Sequence, residues 1–131
     1  MKLKQFYIIF FFLGIFSVIS CNKKPFDYRN KYIGEWNFSI EYSSFNMGNS
    51  PSIYDLVEYL GEITYGEEDN NVIIKYSKNN SVTLTIDKNG IFYDLPTRYC
   101  NGTIVSDNID LYLRWGGLGG GTSHKITGYK K

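Results

Sequence analysis

The chain has 131 residues, about one domain's worth, and carries fourteen basic against thirteen acidic side chains. So even a balance excludes electrostatic binding of nucleic acid, which needs a clustered basic face. A single histidine, His124, excludes zinc sites built on several histidines, and no metal or cofactor is expected.

In chain order, the first element is a leader. Lys2 and Lys4 precede FYIIFFFLGIFSVIS, an uncharged run that has the charged head and apolar middle of an export signal. From Phe6 to Ile19 a helix would span only about 21 Å, short of the ~30 Å hydrocarbon core, so a permanent membrane-spanning helix is the weaker reading. The run ends in Val18-Ile19-Ser20-Cys21. This resembles the lipobox of bacterial lipoproteins, with Val18 where that family most often has leucine. The resemblance implies cleavage between Ser20 and Cys21 and attachment of acyl chains such as palmitate to Cys21. Two or three such chains hold a protein stably on a bilayer. The expected organisation is therefore a signal peptide over 1–20, a lipidated tether over 21–30 and a β domain over 31–131. With Asn22, Lys23 and Lys24 after the cysteine in place of acidic residues, the resemblance implies an outer-membrane protein facing the periplasm.

From Tyr32 onward the pattern is period two, interrupted by turn residues about every ten positions, which predicts an all-β meander, sandwich or barrel, with an antiparallel up-and-down meander as the expected form. Trp36, Phe38, Ile40 and Tyr42 share one face, as do Val72, Ile74 and Tyr76, then Val82, Leu84 and Ile86, then Ile109, Leu111, Leu113 and Trp115. About eight strands are expected, near 33–43, 57–65, 71–77, 81–87, 90–95, 99–105, 109–115 and 122–130. Lys78-Asn79-Asn80, Lys88-Asn89-Gly90 and Ser106-Asp107-Asn108 read as hairpin turns, the second able to take positive φ at both Asn89 and Gly90. In SPSIYDLVEYLGE, Ile53, Leu56, Val57 and Leu60 have helical spacing, and the segment is expected to form a helical turn at 52–56 followed by a strand. Gly61 and Gly102 occupy matching strand positions, suggesting places where a closing sheet bends or is crossed closely.

No catalytic set is legible, and an enzyme is not expected. Gly116 to Gly121 fits no phosphate-binding register and reads as a hairpin loop. Glu67 to Asn71 lacks the spacing of a calcium loop and reads as a hairpin tip. Cys100, left alone once Cys21 is lipidated, is expected to be buried. The abundant tyrosines suit either half-buried strand packing or a recognition face.

Tyr32-Ile33-Gly34-Glu35-Trp36 resembles the opening of a lipocalin-type barrel, and the chain with its lipobox and closing GGLGGGT resembles small lipocalin-like lipoproteins of Bacteroidota-type bacteria. The resemblance implies a small or flattened barrel in which Gly34 and Trp36 lie at a closed end. There Trp36 packs under a basic side chain from the last strands, Arg114 or Lys130. It also implies non-enzymatic binding of a small apolar ligand in a cavity of roughly 300 Å³ or more. The alternative is a solid-core module that binds an envelope protein through exposed tyrosines or a sheet edge.

Overall fold

The computed structural model describes residues 24–50 and 52–131. The leader and the cleavage site at Ser20 and Cys21 lie outside the described residues.

Eight antiparallel strands form one sheet: β1 (Gly34–Asn46), β2 (Ser52–Tyr65), β3 (Asn71–Lys75), β4 (Ser81–Ile86), β5 (Phe92–Tyr93), β6 (Asn101–Val105), β7 (Asn108–Gly117) and β8 (Gly120–Lys130). Their spatial order is β5-β4-β3-β2-β1-β8-β7-β6. The two ends of that order meet. Ile91 bridges to Thr103, and the Ile104 N–H donates to the Gly90 carbonyl at 2.7 Å. The meander thus curls into a nearly closed up-and-down barrel, one of the forms the alternation allowed.

The inward sets are those of the sequence pattern. Trp36, Phe38, Ile40, Ile63, Val72, Ile74, Leu111, Leu113 and Ile126 are fully buried and pack as one core. An eight-stranded barrel is just wide enough to be filled by its own side chains. Two glycines set how closely the rings pack. A Cβ on Gly61 would lie 2.9 Å from the Phe38 ring, and one on Gly102 would lie 2.9 Å from the ring of Phe92. The matching glycines of the sequence are places where an aromatic ring crosses the backbone.

Three expectations are corrected. Residues 52–56 form no helical turn; β2 is continuous from Ser52 and pairs with β1 from Ser44↔Ser52 to Gly34↔Ile63, with a bulge at Tyr42/Ser43. The helically spaced Ile53, Leu56 and Leu60 are all exposed, so their spacing reports no buried face. The strand prevails because β1 supplies a partner for its backbone hydrogen bonds. In the turn after β4, only Gly90 has positive φ, and the Asp87 carboxylate organises the turn by accepting from the N–H groups of Asn89 and Ile91. Finally, the segment before β1 is not a free tether throughout. Tyr28–Lys31 makes a 3₁₀ turn capped by the Asp27 side chain, and Arg29 within it is completely buried.

That turn closes one end of the barrel. The Trp36 indole N–H donates to the Tyr32 carbonyl at 2.9 Å, the Tyr28 hydroxyl to Ile86 O at 2.6 Å and the Lys31 ammonium to Lys88 O at 2.7 Å. The Arg29 guanidinium pairs with both Asp27 oxygens and donates to the carbonyls of Glu68 and Asn71 at 2.8 and 2.7 Å. It also lies 5.0 Å from the centre of the Tyr65 ring. One arginine thereby ties the β2–β3 connection to the turn, with every donor direction it uses satisfied inside the protein.

Candidate functional site

The residues expected at the closed end divide. Trp36 is buried there, opposite Lys130 across the β1–β8 pair. Gly34, at φ 135°, leaves room for the Lys130 stem, whose Cε lies 3.4 Å from where a Cβ would be. The Lys130 ammonium then donates to the Lys31 carbonyl at 2.8 Å. Arg114 is elsewhere. It lies toward the opposite end of the barrel, its guanidinium carbon 3.8 Å from the centre of the Phe45 ring and 5.3 Å from that of Tyr99. Its neighbours Leu113 and Trp115 point inward, so strand alternation puts Arg114 on the outer face. Of the two basic residues, Lys130 is the one that the strand pairing sets opposite Trp36.

Toward the opposite end three rings surround His124, Tyr76 buried and Tyr42 and Trp115 partly buried. Tyr42 meets the imidazole edge-on at 4.6 Å between centroids, Trp115 at 4.7 Å and Tyr76 at 5.8 Å. The Tyr76 hydroxyl and His124 Nδ1 are 2.9 Å apart. Asn80 leans on the same group, donating to the Tyr42 hydroxyl at 3.4 Å and to Ser77 Oγ at 2.9 Å.

Burial pushes the Tyr76 phenol up and the His124 imidazole below its ordinary value. Burial is the cause of the lowered His124 value. The chemistry this arrangement supports is aromatic contact. His124 is expected to titrate below 6.5, a shift readable from its ring proton resonances. The unfolded chain, with the higher pKa, binds the proton first, so His124 costs stability as pH falls below about 6.5.

A second feature of this end is the length of β2. It pairs with β3 only from Glu62 to Tyr65, so from Ser52 to Leu60 its far edge meets no strand among the described residues. Ile53, Tyr54, Leu56 and Leu60 are each at least half exposed along it. The only charged side chains of that stretch are Asp55 and Glu58.

Cys100 is buried, with its Sγ accepting from the Arg114 N–H at 3.1 Å and lying 3.3 Å from Thr97 Oγ1. The thiol fills a place in the sheet edge next to β7. The Gly116–Gly121 stretch is the β7–β8 hairpin, and Glu67 to Asn70 form the β2–β3 tip.

Sequence reasoning missed Arg29, whose burial depends on carbonyls about forty residues away, and the ring cluster, which requires the register that puts Tyr42 and Leu113 opposite His124. The chain matches no protein family, no curated protein and no solved structure.

Proposed function

We propose that this protein is a lipoprotein of the bacterial envelope, anchored through Cys21 in the outer membrane and facing the periplasm. In this reading it acts by non-enzymatic binding, with the barrel as a solid scaffold for a protein partner. The observation that carries the binding mode is the β2 edge from Ser52 to Leu60, which offers unpaired backbone groups beside exposed apolar side chains. Such an edge recruits an extended segment as an added strand. Asp55 and Glu58 favour a partner strand with basic side chains opposite them. The fully buried core from Trp36 to Leu113 supports surface binding over a deep calyx.

The test is in-cell photo-crosslinking from position 54, exposed on the same edge and untouched by the control substitutions. A defined envelope-protein adduct is expected, and it should disappear in Ile53→Lys/Leu56→Lys, whose exposed positions leave stability within about 0.5 kcal/mol of wild type. An adduct unchanged by the double substitution removes the edge from the mechanism. Cys21→Ser should abolish incorporation of labelled fatty acid and release the chain from the membrane fraction.

A second reading, a small apolar ligand, is favoured by the partly buried Trp115 and Tyr42 rings toward the end opposite the 3₁₀ turn. Native mass spectrometry of protein extracted from membranes separates the two. A retained small mass supports the ligand, and its absence alongside the adduct leaves the edge.

A further inference from the structure

Phe45 is an anomaly. Alternation from Trp36 through Tyr42 puts it on the outer face of β1, yet it is only 8% exposed. Its cover is partly a cation and partly bare backbone: Arg114 stacks on the ring, and a Cβ on Gly121 would lie 2.8 Å from the ring tip. Tyr99 flanks Arg114 on another side. Tyr99 in turn carries Arg98, whose guanidinium carbon is 4.8 Å from the ring centre and whose Nη2 donates to the hydroxyl at 2.6 Å. The result is a groove of ≈ 630 Å³ between these side chains and the β1–β2 loop, into which Asn46 and Asn49 also face.

Its charge is one-sided. No acidic residue lines it, and the ion pairs among the described residues, Lys24–Asp69, Arg29–Asp27 and Lys131–Glu35, involve neither Arg98 nor Arg114. The residues outside the described set contain no Asp or Glu. Among the described residues the Arg114 guanidinium donates no hydrogen bond, in contrast to that of Arg29. Stacking on Phe45 fixes the plane of Arg114 and leaves its N–H edge available. That is the geometry in which an arginine fork receives two oxygens of one anion.

We propose that this groove is a binding site for a soluble phosphate monoester whose body is aromatic or apolar. Arg114 and Arg98 take the charged head, and the Asn46 and Asn49 amides take its remaining polar atoms. The Phe45 and Tyr99 rings with Leu118 hold the body. The groove lies at the end of the barrel away from the 3₁₀ turn, which, on the proposed anchor at Cys21, favours a soluble ligand over membrane headgroups. The site is independent of the β2 edge and stands whether or not that edge binds a partner.

The test is calorimetric titration of the full chain in neutral detergent with phenyl phosphate, and in parallel with inorganic phosphate. Saturable binding of phenyl phosphate is expected, weaker by tenfold or more in Arg114→Gln and in Arg98→Gln. Arg114→Lys should fall between, because it keeps the charge and loses the fork. Lys88→Ala, which removes a cation elsewhere, should bind like wild type, and circular dichroism of each variant reports folding. The proposal is overturned if phenyl phosphate does not saturate, or if Lys88→Ala loses as much affinity as Arg114→Gln. It is equally overturned if only phosphatidylglycerol vesicles bind in an Arg114-dependent way, which assigns the groove to a lipid headgroup.

Discussion

Arg29→Ala is expected to destabilise the barrel by about 3–5 kcal/mol, the cost of breaking a buried ion pair from one side. The Arg29 side chain is 0% exposed and that of Asp27 9%, so the carboxylate left behind has little water to turn to. The Glu68 and Asn71 carbonyls lose donors at the same time. Arg29→Lys should recover only part of the loss, since an ammonium cannot span Asp27 and two carbonyls with one planar fork. Urea unfolding of the three proteins measures the series. Equal stability of Arg29→Ala and wild type would show that the closed end does not depend on this residue.

The same pair sets an acid limit. The Arg29 side-chain hydrogen bonds, against the opposing effect of burial, hold the Asp27 carboxyl below the usual carboxylate range. A carboxyl with a depressed folded pKa contributes stability that is present above its unfolded value, about 3.9, and is lost as pH falls through the folded one. Asp27→Asn should therefore flatten the stability profile below pH 4 and lower stability at neutral pH.

The strands were legible in the sequence where the alternation coincides with real inward faces. Trp36, Phe38 and Ile40 face one core with Leu111 and Leu113, and any register that buried one set would bury the others. The beginning of β2 was not, because neither face of Ile53 to Leu56 is buried. A short run of exposed apolar residues carries no period that separates helix from strand, and only pairing with β1 decides it. Arg114 was legible as a basic residue in a late strand, but its face was not used. Counted from the inward Leu113, it must point outward, which already separates it from Trp36. Lys130, opposite Trp36 in register, required the β1–β8 pairing to be known. The arginine groove depends on loops 47–50 and 97–99 folding toward Phe45, and such loop positions leave no periodic trace in a sequence.

Gly61→Ala is expected to be severely damaging, costing about 3 kcal/mol or more, at the upper end for an overpacked core. The added Cβ would overlap the Lys75 carbonyl oxygen and press on the Phe38 ring at 2.9 Å. Neither neighbour can yield easily. Lys75 ends β3 and pairs with both Glu62 and Ser81, while Phe38 is fully buried and stacked at 6.3 Å on Trp36, which seals the closed end. For a domain of this size the loss corresponds to a fall in Tm of roughly 10 °C or more. Gly102→Ala meets the Leu111 and Phe92 side chains instead, at 2.6 and 2.9 Å, and these can shift. It should cost less, about 1–3 kcal/mol. Gly119→Ala, with nothing within 4 Å and an ordinary φ, should leave Tm nearly unchanged. Thermal unfolding of the three variants should therefore rank Gly61 above Gly102 above Gly119. If Gly61→Ala melts with Gly119→Ala, β2 does not lie against β3 and Phe38 as closely as a filled barrel requires, and there is interior room for a ligand.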